Sequence, residues 1–114
     1  MIENILYNFM SERASIPVKT EKPKTPPERY YLIERTGGTI TNHINRATVA
    51  IQSYGDSLYD AAFLNDRLKN MLLADNGLVA LDEIVSIKLN NDYNFTDTTT
   101  KHYRYQAVFD IVHY

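Results

Sequence analysis

The amino-acid sequence predicts an α+β domain, with a mostly antiparallel sheet of four to five strands and two amphipathic helices packed on one face. Two segments repeat apolar residues at helical spacing, and several others alternate apolar and polar residues as strands do. Glycine and proline separate these segments. The 114 residues, with a hydrophobic fraction of 44%, fit a single domain over 1–114 with one core.

The first helix is predicted over about residues 2–13 and should end near Ser15, because Pro17 disfavours a helical conformation for the residue before it. Its apolar residues follow the i, i+3, i+4 and i+7 spacing: Ile2, Ile5, Leu6 and Phe9. A short extra strand is possible at 17–18. Residues 19–28 (KTEKPKTPPE) hold three prolines and three lysines and no large apolar residue, which predicts an extended, exposed connector.

Residues 29–35 (RYYLIER) alternate as a strand, and Gly37–Gly38 is predicted to form the turn that follows. A second strand is expected within 39–54. Its apolar face changes parity near Asn45–Arg46, which indicates a β-bulge there, unless residues 43–45 belong to the hairpin loop.

Gly55 breaks this strand, and Asp56 or Ser57 is expected to cap a second helix that ends at Asn76–Gly77 in a left-handed C-cap. Polar residues mostly left for solvent are Asn65, Asp66, Lys69 and Asn70. The apolar stripe comprises Leu58, Ala61, Ala62, Leu68, Met71 and Leu72, with Leu64 at its edge.

Two further strands are predicted, over 85–89 and 103–112, and the second has the most regular alternation in the chain. We expect this last strand to lie at a sheet edge. Between the two strands, residues 90–101 are polar and predict a long hairpin loop or arm that carries Tyr93 and Phe95. These rings either fold back over the sheet edge or order against a neighbouring subunit.

Composition excludes several classes of function. The net charge of −2 argues against tight nucleic-acid binding, which needs an excess of cations. The absence of cysteine excludes disulfides, thiolate zinc sites and a cysteine nucleophile. No apolar run approaches the ~18–20 residues of a membrane span. The N-terminus lacks the basic region of a secretory signal, so we expect a soluble protein made in the cytoplasm.

Motifs for chemistry are also missing. The four glycines begin no phosphate-binding loop, and His102 and His113 are predicted on opposite faces of one strand. Asp56 and Asp60 lie one turn apart, as an acid–base pair would need, but acidic residues are expected at a helix N-terminus. We therefore predict no catalytic residue, no metal and no cofactor. By contrast, nine tyrosines suit either strands or protein interfaces.

Three stretches resemble small tail-terminator, or tail-completion, proteins of long-tailed phages and prophages of Gram-positive bacteria: YYLIERTGG (30–38), AIQSYGDSLYDAAFLNDRLKNML (50–72) and LNNDYNFTDTTTKHYRYQAVFDIVHY (89–114). The resemblance covers most of the chain but includes no catalytic motif. It implies a subunit that forms a six-membered ring on the tail tube and offers a docking face to the head connector. It also implies that the protein uses no cofactor and performs no reaction.

The expected partners are therefore other copies of the chain, the tail-tube protein and the head-connector protein, first in the host cytoplasm and then in the virion tail. We expect a monomer or weak oligomer in dilute solution. Alternatives are a head-completion or stopper protein and, less favoured, a small α+β enzyme. Residue chemistry predicts these subunit or partner contacts: Lys22, Lys24, Arg35, Tyr93, Phe95, Lys101, Tyr103 and Arg104.

Overall fold

The structure is a computed structural model that describes all residues 1–114. Two helices, five strands and a short 3₁₀ turn, Leu78–Ala80, make up the fold. In chain order the main elements are α1 (Ile2–Arg13), β1 (Val18–Lys19), β2 (Tyr30–Thr41), β3 (Ile44–Tyr54), α2 (Leu58–Leu73), β4 (Ile84–Asn94) and β5 (Arg104–His113). The predicted α+β class is confirmed, and so is the first helix.

The strands form one mixed sheet in the order β1-β2-β3-β5-β4. β1 pairs with β2 in parallel over two residues, and all other neighbours are antiparallel. Residues directly opposite one another in an antiparallel pair point to the same face, so the register assigns each side chain to a face. The pairs Ile33–Ile51 and Val49–Phe109 thus share one face, and all four side chains are buried.

The main core lies between this face and the two helices. It contains 18 buried residues, among them Ile2, Leu6 and Met10 of α1 and Leu64, Leu68 and Leu72 of α2. Burying an apolar side chain of this size contributes roughly 1.5–3 kcal/mol. The layer of helices against sheet is therefore the main source of folding free energy.

The start of α2 agrees with the predicted cap. Ser57 is the N-cap, and its hydroxyl accepts a hydrogen bond from the Asp60 amide at 3.1 Å. The predicted apolar stripe is partly wrong, because Leu58 is 42% exposed and Asn65 is buried.

The predicted end of α2 is wrong. The helix stops at Leu73, and Ala74 caps it in an extended conformation. Gly77 has a φ of −85°, outside the left-handed region. Glycine is still required here, because a Cβ would lie 2.7 Å from the Met71 carbonyl oxygen and 2.8 Å from that of Leu72. Glycine at this position allows the chain to pass close to the carbonyl end of α2.

The first hairpin turns later than predicted. β2 continues through Gly37–Gly38, and the turn is Asn42–His43, where φ is 52° and 66°. Both central residues of a two-residue hairpin turn with this twist need positive φ. The β-bulge is also displaced, since the register shifts between Arg35 and Gly37 and not at 45–46. At Gly38 a Cβ would meet the Arg46 carbonyl oxygen at 2.9 Å, so the glycines mark a bulge and a close strand contact.

The second hairpin is more regular than predicted. β4 extends to Asn94, so the first part of the expected 90–101 loop is strand, and an isolated bridge joins Asp97 to His102. The last strand, β5, lies between β3 and β4 and is not at an edge; the edge strands are β1 and β4. Two register shifts in β4, between Ile84 and Ser86 and between Leu89 and Asn91, interrupt the alternation by which a strand is recognised in sequence.

The bulge after Leu89 also places Asp92 on the helix-covered side, opposite Ala107. There its carboxylate accepts a 2.6 Å hydrogen bond from Asn65, and Lys69 donates to its other oxygen. The hydrogen bond to Asp92 raises the pKa of Lys69. Asn65 was predicted to face solvent, but it joins α2 to the edge strand.

The Asn42–His43 turn gives a first prediction. A non-glycine residue in the left-handed region costs about 1 kcal/mol, so His43→Gly should raise the free energy of unfolding by about 0.5–1 kcal/mol in urea titration. Gly38→Ala is the matched control and should destabilise, because its methyl group would contact the Arg46 carbonyl. A lower stability for His43→Gly would contradict this description of the turn.

Candidate functional site

The sheet face that no helix covers carries the candidate site. The register places Tyr54 opposite Arg104, Gln52 opposite Gln106, and Gln106 opposite Tyr93, all on this face. Here β3, β5 and β4 contribute one cross-strand row of polar and aromatic side chains. A row built on three strands is held by the sheet itself and is rigid before any partner arrives.

Hydrogen bonds connect the members of this row. The Tyr54 hydroxyl donates to Gln52 Oε1 at 2.7 Å, and Gln52 Nε2 donates to Gln106 Oε1 at 2.9 Å. Gln106 Nε2 in turn bonds the Tyr93 hydroxyl. Gln52 is only 6% exposed, so without these partners its buried amide would be costly.

Arg104 is the centre of a second set of contacts at the end of the row. Its guanidinium lies 4.5 Å from the Phe95 ring centroid, and it donates to the Phe95 carbonyl at 2.7 Å and to the Tyr54 hydroxyl at 3.0 Å. Tyr93 and Phe95 meet edge to face with centroids 5.7 Å apart. We name Tyr54, Tyr93, Phe95 and Arg104 the Arg104 patch. Aromatic residues and arginine of this kind dominate the energetics of protein interfaces.

Tyr93 and Phe95 lie against the sheet of their own subunit, as in the first of the two predicted arrangements, and contact with a neighbouring subunit stays a prediction. Tyr93 is 37% and Phe95 39% exposed, so neither ring is buried in the core of its own subunit. They lean on Gln106 and Arg104 and leave more than a third of their surface open. A partner that covered the patch would bury both rings.

Tyr30 extends the patch toward β2. Its ring stacks on that of Tyr54 with centroids 4.4 Å apart and planes inclined by 5°. Burial, and then the neighbouring Tyr54 hydroxyl, raises the pKa of Tyr30 to about 12. Tyr30 is therefore neutral at physiological pH and contributes shape and apolar area without charge.

A surface cleft of about 460 Å³ opens beside the Tyr30–Tyr54 stack, between the connector and the tip of the β4–β5 hairpin. Lys22 comes from the connector, and Lys101 and Tyr103 come from the hairpin. Glu28, Asp56 and His102 also line the cleft.

The structure brings six of the eight predicted contact residues to this end of the molecule: Lys22, Tyr93, Phe95, Lys101, Tyr103 and Arg104. Lys24 lines a different cleft with Tyr7 and Val18, to which Lys22 also contributes. Arg35 faces the helix-covered side, where its guanidinium is 3.9 Å from the Glu3 carboxylate. These last two do not join the Arg104 patch.

Sequence reasoning missed the row of hydrogen-bonded side chains. Gln52, Tyr54 and Gln106 were not among the predicted contacts, because only the register shows that they meet. A weak signal was available. Gln52 and Gln106 are long amides next to apolar residues in predicted strands, where a side chain that becomes buried needs a hydrogen-bonding partner.

Asp60 has a structural role, in keeping with its predicted place at the helix N-terminus. Asp60 accepts two hydrogen bonds from Arg29, at 2.9 and 3.0 Å, and a third at 3.0 Å from the Asp56 amide. Burial opposes ionisation of Asp60, but the Asp56 amide and the Arg29 guanidinium outweigh it and lower its pKa. The Arg29–Asp60 ion pair joins the end of the connector to the start of α2.

No group of three or more histidine, aspartate or glutamate side chains is placed to hold a metal ion. Neither helix has the length and apolarity required to cross a membrane. Comparison with known proteins gives no matching family model and no matching curated protein.

The role of Gln52 gives a second prediction. Gln52→Ala should lower the free energy of unfolding by about 1–3 kcal/mol, since Tyr54 and Gln106 lose a buried partner. Asn90→Ala removes an exposed amide that bonds Asp110 on the same face and should cost less than about 0.5 kcal/mol. Equal losses in urea titration would contradict a special role for the buried row.

The Arg29–Asp60 pair gives a third prediction, on pH. The folded-state pKa of Asp60 is lowered, so its stabilisation is present above the unfolded value of about 3.9 and is lost as pH falls through the folded value. Asp60→Asn should cost about 1 kcal/mol at neutral pH, a modest figure because the pair is partly exposed. The difference from wild type should disappear in acid. Asp82→Asn is the control, because Asp82 is exposed and belongs to no ion pair. A deficit of Asp60→Asn that does not change with pH would exclude the Arg29–Asp60 ion pair as its cause.

Proposed function

We propose that this chain is a structural tail-completion subunit, which caps a phage tail tube as a ring and offers a docking face to the head connector. The observation that carries the proposal is the Arg104 patch. It is a rigid set of aromatic side chains and one arginine on an uncovered sheet face, with two rings more than a third exposed. Such a surface suits contact with protein.

The shape of the subunit supports the same role. The molecule measures 45 × 25 × 24 Å, and its two long hairpins point to opposite ends of the sheet. The Asn42–His43 turn lies at one end and the 95–103 connection at the other. A protein that joins two different structures needs contact surfaces at separate ends.

The sequence resemblance adds a third line of support. The stretches that resemble tail-terminator proteins form β2, the β3–α2 unit and the β4–β5 hairpin. They therefore contribute every member of the Arg104 patch. The proposed role needs shape and contact chemistry, and it needs no reaction.

A head-completion or stopper protein is the nearest alternative, because it would use the same kind of surfaces on a different ring. Binding to isolated head-connector rings, with no effect on tail tubes, would favour it. An enzyme of this fold is less favoured, since the sequence contains no catalytic motif.

The decisive experiment measures tube length. Tail-tube subunits from the same phage or prophage are polymerised with and without this protein and imaged by electron microscopy. We expect shorter tubes of narrower length distribution, with the protein at one end. Unchanged tube lengths, with no end-bound protein, would refute the proposal.

Phe95→Ala sharpens this experiment. The substitution removes an exposed ring from the Arg104 patch. The protein concentration required for capping should rise at least tenfold, because an interface aromatic of this kind contributes about 1.4 kcal/mol or more to binding. Tyr7→Ala is the matched control, because Tyr7 is 41% exposed on α1, away from the patch. Equal capping by both variants would place the contact elsewhere on the subunit.

A further inference from the structure

The outer edge of β2 is open along most of its length. β1 pairs with β2 only at Tyr31 and Leu32, so no strand covers this edge from residue 33 to 41. Every residue from 34 to 41 is also exposed. An uncovered edge presents backbone N–H and C=O groups that have no partner in their own sheet, and these groups can pair with a strand of another molecule.

The other edges of the sheet are protected against such pairing. Two register shifts interrupt β4, which also carries Lys88, and both features hinder the addition of a strand. β1 has only two residues. By contrast, residues 36–42 (TGGTITN) contain no charged side chain and no proline, and their register with β3 is regular from residue 37 to 41. This part of β2 is therefore the edge at which another strand can pair.

The geometry of the hairpin determines which backbone groups point outward. Thr41 and Ile44 flank the two-residue Asn42–His43 turn and form the hydrogen-bonded pair that closes it. Hydrogen-bonded and non-hydrogen-bonded pairs alternate along an antiparallel ladder. The N–H and C=O groups of Ile40 and Gly38 therefore point away from β3, toward the open edge.

The side chains at this edge are complementary to a second copy of themselves. Ile40 is 74% exposed, and an isolated subunit gains nothing from this. When two such edges meet antiparallel, Ile40 of each copy can lie opposite Gly38 of the other, so a large side chain meets a residue with none. The Arg35 side chain lies across Gly38 and offers a flat surface for this isoleucine.

We infer that two copies of the chain pair antiparallel through residues 38–40 of β2, about a two-fold axis at Thr39. Ile40 and Gly38 would exchange backbone hydrogen bonds across the axis, and the two sheets would continue into one another. Each copy has one edge of this kind, so the contact closes at a dimer. The inference does not rest on the proposed function, since the contact lies at the opposite end of the sheet from the Arg104 patch.

The dimer should be weak. The paired segment is short, and the contact buries less than the ~800 Å² per partner that is typical of a stable interface. Dilute protein should therefore be mostly monomeric, and the dimer should appear as the protein concentration increases.

Ile40→Pro tests the backbone contact. Proline removes the outward N–H of residue 40, which the pairing with β3 does not use, so the variant should fold, as circular dichroism checks. In sedimentation velocity over a series of concentrations, wild type should pass from monomer to dimer and Ile40→Pro should stay monomeric. Ser86→Pro is unsuited as a control, because it lies beside a register shift; Ser86→Lys, an exposed change at the β4 edge, should dimerise like wild type.

Cysteine crosslinking tests the register, and the chain has no cysteine of its own. Thr39→Cys places two thiols opposite each other in a non-hydrogen-bonded pair, where the Cα atoms are about 4.5 Å apart and a disulfide fits. Thr41→Cys is the matched control on the same strand and face, because its two copies would be separated by roughly 13 Å along the strand. With oxidised glutathione, Thr39→Cys should form the covalent dimer at least about tenfold faster than Thr41→Cys.

Three results would overturn the inference. Equal crosslinking of the two cysteine variants would show random collision without a register. A folded Ile40→Pro variant that dimerises like wild type would place the contact elsewhere. Wild type that stays monomeric at every concentration would leave the β2 edge to a strand of a different protein and exclude pairing between copies.

Discussion

The structure depends on the position of β5 between β3 and β4. Ala107, Phe109 and Ile111 of this strand are at most 1% exposed, under the two helices. Because its side chains alternate, the same strand presents Arg104 and Gln106 to the uncovered face. A slip of one residue would exchange the two sets, so burial of three apolar side chains also fixes the geometry of the candidate site.

The bulges adapt this regular framework at its margins. In β4, the register shift after Leu89 lets Asp92 point to α2 while Tyr93 points to the uncovered face. The same shift thus supplies the hydrogen bonds that hold the edge strand and the ring that completes the Arg104 patch. In β2, the shift after Arg35 carries the hairpin beyond the core, where Ile40 is 74% exposed. These register shifts therefore decide which side chains of β2 and β4 pack against the core and which remain on the surface.

The two faces of the domain differ in kind. The covered face is a continuous apolar core, whereas the uncovered face is a hydrogen-bonded row flanked by cations. Buried polar side chains on the uncovered face need hydrogen-bond partners within the subunit, and Gln52 and Gln106 provide these for each other. The aromatic and basic groups that remain open are then free for contact with protein, which is the basis of the proposed ring subunit.

The sequence by itself determined the fold class, the first helix, a helix cap at Asp56 or Ser57 and the alternation of β5, because each of these follows from local periodicity or a local hydrogen bond. It did not determine where the glycine pair would act, which strand would be the edge, or that Asn65 would be buried. Gly38 lies close to the Arg46 carbonyl of the next strand, and Asn65 donates to the Asp92 carboxylate of β4, so both depend on groups outside their own element. Likewise, the contact between Gln52, Gln106 and Tyr93 requires that β3, β5 and β4 pair in one register. Only tertiary structure sets that register, since it results from burial on the opposite face.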